Sequence, residues 1–279
     1  STGERMALYE KHAPGLAVAA VEKLGLGADA AKISHVVVTS CTGMVAPGIE
    51  FDLIERCGIP SSVERTNVGF MGCYAALNAL KLARHFVRSE PDARVLILNL
   101  ELCSLHLQQA TTLEQLLSFL VFGDGCAASI VSADRVGVEL EAFRAVTVPD
   151  TKSLITWKVR DQGFDMFLSG KVPGAIAHGL SAAKHAILDG QPTTAMTHWA
   201  VHPGGRSILD AVEKGLELGP TALAPSRAVL NDFGNMSSAT VMFVLRSILE
   251  DAKEGERGCA MSFGPGLTAE TMTFRKASA

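Results

Sequence analysis

The sequence predicts an α/β protein built from two related halves, and three observations carry that prediction. Shifted against itself by 164 positions, the chain brings strand-like, turn and helix-opening segments into register. Short β-branched runs such as Val36 to Val38 and Val95 to Leu98 alternate with longer amphipathic stretches, the pattern of buried strands between helices. A composition of 48% apolar and 19% charged residues over 279 positions is enough to bury a large core.

The repeat justifies the elements in order. The helical Tyr9 to Gly27 overlies Pro173 to Gln191, and the strand His35-Val-Val-Val-Thr39 overlies Trp199-Ala-Val-His-Pro203. Gly72-Cys-Tyr-Ala-Ala76 overlies Met236-Ser-Ser-Ala-Thr240, so that Cys73 matches Ser237 and each opens an apolar helix. Arg94-Val-Leu-Ile-Leu98 overlies Gly258-Cys-Ala-Met-Ser262 as the next strand. Phe122-Gly-Asp-Gly125 marks a tight turn before the strand Cys126 to Val131, and alternation at Val146-Thr-Val148 and Ile155-Thr-Trp-Lys-Val159 predicts extended segments within the connection Glu139 to Asp165. The halves divide as residues 1–135 and 136–279. The counterparts of Val138 to Leu168 would fall mostly before Ser1, so the N-terminal part of the first half is expected to be missing from this chain.

Charge and cysteine usage exclude several functions. With 25 basic and 29 acidic residues the formal charge is −4, and no Lys/Arg-rich run is present to track a phosphate backbone; nucleic acid is not an expected partner. Apolar runs such as Leu116 to Phe122 fall short of a membrane span. Cysteines 41, 57, 73, 103, 126 and 259 include no Cys-x-x-Cys pair and match no metal-ligand spacing, which predicts reduced thiols in a cytoplasmic protein with no metal.

Cys73 is the foremost candidate for chemistry. It follows Gly72 at the start of a predicted helix whose unpaired N–H groups and dipole favour a thiolate. A lone cysteine is ordinarily a small core hydrophobe, and a nucleophile needs a base and oxyanion donors. In a duplicated fold, equivalent strand ends and helix starts converge. His202, at a strand end before Pro203-Gly-Gly205, and Asn235, ahead of the helix matching that of Cys73, stand at such points. By themselves they read equally as a strand-end histidine and a turn or cap residue. Together, Cys, His and Asn suit acyl transfer: imidazole stabilises the thiolate as an ion pair, and imidazole with the amide donates to an enolate or oxyanion.

Gly72-Cys73, Phe122-Gly-Asp-Gly125, Val201-His-Pro-Gly-Gly205, Gly234-Asn-Met-Ser-Ser-Ala239 and Phe263-Gly-Pro-Gly-Leu-Thr268, in this order, resemble the chalcone synthase-like, or type III polyketide synthase, family over essentially the whole chain. The resemblance implies a thiolase-like fold of layers α-β-α-β-α and a homodimer. It implies acyl-CoA and malonyl-CoA as substrates with no further cofactor. Cys73 would carry the acyl group, while His202 and Asn235 support decarboxylation of malonyl-CoA and iterative Claisen condensation to a cyclised pyrone, resorcinol or other aromatic. By the same resemblance Phe122 is a gatekeeping aromatic, and Gly264, Pro265 and Gly266 form a backbone scaffold beside the cavity.

Other positions by which the resemblance implies cavity shaping are Cys41, where plant members carry Thr, with Thr42 beside it; Ala46, where they carry a Met that crosses the dimer; His106; Met166, in place of a second Phe; and Ser237. These departures resemble bacterial members more than plant ones. Starter, number of extensions and cyclisation mode stay open, as do a single-round ketoacyl synthase III-like enzyme and a non-catalytic thiolase-fold subunit.

Overall fold

The computed structural model describes residues 1–110 and 112–278. Helix α1 (Thr2–Glu22) is started by a capping box between Ser1 and Glu4. Strand β1 (His35–Ser40) follows, then α2 (Glu50–Arg56), β2 (Glu64–Gly69), α3 (Ala75–Ser89), β3 (Val95–Leu102), α4 (Leu113–Val121) and β4 (Asp124–Val131). The second half comprises β5 (Val138–Thr147), the hairpin β6 (Ile155–Arg160) and β7 (Gly163–Leu168), α5 (Val172–Ile187), β8 (His198–Val201), α6 (Arg206–Leu216), α7 (Ala224–Phe233), α8 (Thr240–Asp251), β9 (Arg257–Gly264) and β10 (Thr268–Lys276).

Two four-stranded sheets result, ordered β2-β1-β3-β4 and β5-β10-β9-β8, with β6 and β7 paired as a separate ribbon. Strand β1 runs parallel to β2 and β3, and β3 pairs antiparallel with β4. The second sheet repeats that motif, β8 running parallel to β9 and β9 antiparallel to β10. The predicted repeat therefore holds element by element: β1 with β8, β3 with β9, α1 with α5 and α3 with α8.

Side-chain alternation explains the layering. Val36, Val38, Leu96 and Leu98 face α1, packing on Tyr9, Ala13, Ala17 and Val21, while Val37, Val95 and Ile97 face the opposite way. That inner face joins Leu77, Leu80 and Ala83 of α3 to Val244, Leu245 and Ile248 of α8 and to Ala260, Met272 and Phe274 of the second sheet. The outer face of the second sheet, with Trp199, Val201 and Met261, is covered by Ile176 and Leu180 of α5 and Leu209 and Val212 of α6. The order is helix, sheet, helices α3 and α8, sheet, helix, and the central strands β1, β3, β8 and β9 are buried along almost their whole length, which is why apolar residues dominate them.

Two expectations change in detail. Cys73 lies in a 3-10 turn (Gly72–Tyr74), and the α-helix begins at Ala75. The segment expected as a connection supplies β5, an edge strand of the second sheet, and the β6–β7 hairpin beside the site. Strand β5 covers the outer edge of β10, and among the described residues no strand occupies the equivalent edge of β4. Arg84 donates to the carbonyls of Leu140 at 2.8 Å and Glu141 at 2.7 Å, and the Glu141 carboxylate is gripped by Arg257 and Arg275, each at 2.7 Å.

Candidate active site

The site lies where the inner ends of β1, β3, β8 and β9 meet the starts of α3 and α8. Chain direction places it there: parallel strands deliver the turns that follow them to one side of each sheet, and the pseudo-twofold brings those two sides together. Cys73, His202 and Asn235 line one cavity, with Gly72, Phe122, Met166, Cys41, Ser237, Gly264 and Pro265 among its walls. Its remaining lining is mostly apolar, including Ile155, Trp157, Leu168, Ile176, Ile208 and Phe263.

Interlocked turns fix the three polar residues. Gly72 has φ +68°, and a Cβ there would lie 2.7 Å from Pro265 Cδ; a Cβ on Gly264 would lie 2.7 Å from the Tyr74 ring. Across the site the backbone N–H of Asn235 donates to Val121 at 2.8 Å, and that of Gly123 to the Asn235 carbonyl at 2.9 Å. This splice of the Phe-Gly-Asp-Gly turn to the Gly-Asn-Met-Ser turn leaves Gly125 no room for a side chain, because a Cβ would approach Met236 Sδ to 2.4 Å. Asp124 serves the scaffold, accepting from Ser104 N at 2.8 Å and Ser104 Oγ at 2.6 Å.

Each reactive side chain has a defined environment. Asn235 Oδ1 accepts from Ser237 N at 2.9 Å, which turns Nδ2 towards Gly204 O, at 3.4 Å, and the cavity. His202 donates its backbone N–H to Met261 at 2.8 Å at the end of β8, and among the described residues neither of its buried ring nitrogens has a hydrogen-bond partner. An imidazole held this way is costly unless it serves chemistry. Burial pushes the His202 pKa down to about 3 and the Cys73 thiol up to about 12, the latter against hydrogen bonds from Ser237 and Asn235. Burial thus works against the expected thiolate–imidazolium pair in the unliganded site.

The family described as chalcone and stilbene synthases matches in both parts, its N-terminal domain over residues 3–135 and its C-terminal domain over residues 139–278. The chain belongs to the chalcone and stilbene synthase family of type III polyketide synthases. Alpha-pyrone synthesis polyketide synthase-like Pks18 of Mycobacterium tuberculosis is 35% identical over 285 residues, covering 97% of this chain and 72% of that protein. Bisdemethoxycurcumin synthase of Oryza sativa subsp. japonica is 34% identical over 300 residues, covering 100% of this chain and 75% of that protein. The structure of 1,3,6,8-tetrahydroxynaphthalene synthase from Streptomyces coelicolor A3(2) superposes with a TM-score of 0.92 at 32% identity, covering 99% of this chain and 82% of that one. The layered thiolase-type fold expected from the sequence is thus the fold observed.

In this type III polyketide synthase a second cavity adjoins the first and shares Cys41, Phe122, Trp157, Met166 and Ser237 with it. Thr42 and His106 belong to the second cavity only; Ala46 and Gly266 line neither. His106 is neutral and fully used: Nε2–H donates to Thr42 O at 2.6 Å, Nδ1 accepts from Phe164 N at 3.0 Å, and its ring stacks on Phe164 with centroids 4.1 Å apart. Burial lowers its pKa, consistent with a wall residue and not an acid.

Sequence reasoning missed Glu101. Its side chain is fully buried, accepting from Cys41 N at 3.0 Å, Thr42 Oγ1 at 2.8 Å and Ser238 Oγ at 2.5 Å. Burial raises its pKa, and these hydrogen bonds oppose the rise. The signal was present: one carboxylate, with Asn99 beside it, inside the otherwise apolar Val95-Leu-Ile-Leu-Asn-Leu-Glu-Leu102. Trp157 was read only as a strand residue, yet its Nε1–H donates to Cys41 O at 2.6 Å and its ring walls both cavities. Among the described residues no group of His, Cys, Asp or Glu is placed to hold a metal ion, and no helix is long and apolar enough to cross a membrane.

Proposed function

We propose that the Cys73 thiolate attacks the carbonyl of an acyl-CoA starter, forming a thioester and releasing CoA thiol. Malonyl-CoA then loses carbon dioxide, and the enolate, held by N–H donors of His202 and Asn235, attacks that thioester. A carbon–carbon bond forms, the Cys73 thiolate leaves, and reloading of the extended chain allows iteration before cyclisation. The observation that carries this reading is the convergence of Cys73, His202 and Asn235 on one largely apolar cavity in which the His202 ring has no other partner among the described residues. His202 takes the proton from Cys73, and substrate in the cavity has to offset the burial that disfavours this ion pair. Water-poor walls then strengthen the fixed donors.

In this reading residues 1–135 supply the nucleophile and residues 136–279 the histidine and asparagine. Phe122 and Met166, lining both cavities, separate loading from elongation, while Cys41, Thr42, His106 and Ser237 shape the elongation side. Gly264 and Pro265 wall the Cys73 cavity, and Gly266 continues that backbone scaffold behind them. Ala46 stands on a loop expected to meet a second subunit of a cytoplasmic homodimer. No cofactor is required beyond the CoA thioesters, and a pyrone product agrees with the relative named for alpha-pyrone synthesis.

The test is mass spectrometry of the protein incubated with malonyl-CoA and acyl-CoA starters of increasing length. A Cys73 acyl adduct with multiply extended products is expected. A single extension would favour a ketoacyl synthase-like enzyme, and no adduct with any starter would overturn the reading.

A further inference from the structure

We propose that Tyr74 and Lys81 are positioning residues that hold the Cys73 turn at a fixed depth against the cavity wall formed by Gly264 and Pro265. This rests on the reading of Cys73 as nucleophile. Tyr74 is buried, and its hydroxyl donates to Pro265 O at 3.1 Å. Seven residues on, in α3, Lys81 Nζ donates to the buried carboxylate of Glu270 at 3.4 Å. Both acceptors belong to one unit, the β9–β10 hairpin: Pro265 in its turn and Glu270 in its second strand. The helix that follows the nucleophile is therefore fastened at two points to the hairpin that walls the cavity, across the boundary between the halves.

Adhesion does not need these bonds. Leu77, Leu80 and Ala83 already bury α3 between the sheets. Apolar packing tolerates a small slide, whereas a hydrogen bond has a preferred length and direction. The contact it regulates has no slack. A Cβ on Gly72 would lie 2.7 Å from Pro265 Cδ, and one on Gly264 would lie 2.7 Å from the Tyr74 ring and 3.6 Å from Cys73 N. Any shift of the hairpin turn is thereby passed to the Cys73 backbone and its sulfur.

Y74F keeps the ring and removes only the donor; K81M keeps the stem and removes the charge. The first readout is the rate at which iodoacetamide alkylates Cys73, mapped by mass spectrometry with Cys57 as internal reference; it requires no acyl-CoA and so stands apart from the polyketide reading. Each variant is expected to change that rate about threefold or more while the Cys57 rate and the melting temperature hold. With substrates, Y74F is expected to lower kcat about tenfold with KM within about twofold, since misplacement of a reacting atom acts on the chemical step. K81R is expected to restore what K81M loses. Wild-type Cys73 alkylation in both variants would overturn the proposal, and so would losses that follow a fall in melting temperature. Should Y74F fail to fold, the contrast between K81M and K81R decides.

Discussion

The two halves use one scaffold for opposite tasks. Each opens its inner helix with a 3-10 turn, Gly72–Tyr74 before α3 and Ser237–Ala239 before α8, yet the first turn carries a thiol and the second a hydroxyl. The second half in turn places His202 at the end of β8 and Asn235 ahead of α8, where the offset of the repeat puts the apolar Val38 and Met71 in the first. In the proposed reading a duplicated fold thus builds one asymmetric site from two symmetric positions: nucleophile from one half, proton acceptor and amide donor from the other. The outer edges differ as well, β10 being covered by β5 while β4 has no such neighbour among the described residues.

Exchange at the equivalent turns gives the largest expected effect. Cys73→Ala should abolish the acyl adduct and lower turnover by about a thousandfold or more, leaving the melting temperature nearly unchanged. Ser237→Ala, at the matching position, should retain the adduct and slow its formation about three- to tenfold, because the hydroxyl only lowers the pKa of the Cys73 thiol and contacts Cys41 Sγ at 3.2 Å. Mass spectrometry of the trapped acyl-enzyme separates the two. An adduct surviving in the Cys73 variant would dissolve the asymmetry.

Glu101 tests how the halves are joined. The carboxylate comes from β3, while one of its donors, Ser238, comes from the second half. Glu101→Ala leaves the buried Cys41 N–H, Thr42 hydroxyl and Ser238 hydroxyl without their acceptor, and a loss of about 3 kcal/mol in urea unfolding is expected. Glu101→Gln, which keeps the shape and one acceptor oxygen, should lose about 1 kcal/mol. Equal losses would mean that shape rather than hydrogen bonding joins the halves here.

The acid–base difference between the halves predicts a pH dependence. Folding lowers His202 from 6.5 to about 3, so below about 6.5 the unfolded chain takes up a proton that the folded site refuses. Stability from this group is fully present above that pH and falls as pH drops, by up to about 2 kcal/mol between pH 6.5 and 5. His106, also lowered by burial, adds a slope of the same sign. His202→Gln should flatten the dependence in urea titrations at the two pH values without removing it. An unchanged slope would show that folding leaves the His202 pKa where it is in the unfolded chain.

The legibility of the sequence follows from the same comparison. The repeat, the alternation of apolar faces and the positions of Cys73, His202 and Asn235 could be read because each depends on local pattern: strand periodicity, helix starts, and glycines that no side chain could replace. What escaped reading depends on contacts far apart in sequence. The turn of Cys73 taken alone favours the thiolate, whereas burial by walls that the second half contributes pushes the thiol pKa up. Glu101 and Cys41 lie 60 positions apart and Trp157 and Cys41 116 apart, and only the packed layers bring them together. Lys81 and Arg84, too, are partnered only across the layers, both reaching strands of the second half.

The smallest effect is expected where the β6–β7 hairpin meets the first half. Two bonds tie it to the floor of the cavities, Trp157 Nε1–H to Cys41 O at 2.6 Å and Phe164 N–H to His106 Nδ1 at 3.0 Å. Trp157→Phe keeps an aromatic wall and deletes one donor, so a loss of about 1 kcal/mol is expected, less than for Glu101→Ala because the freed carbonyl is a neutral acceptor. The more informative readout is the product. Trp157 walls both cavities, and the smaller ring enlarges the passage between them. The ratio of longer to shorter products should therefore rise while Cys73 acylation proceeds at the wild-type rate. A slower acylation with an unchanged product ratio would place Trp157 with the nucleophile rather than with the wall, and would shift the division of labour between the halves accordingly.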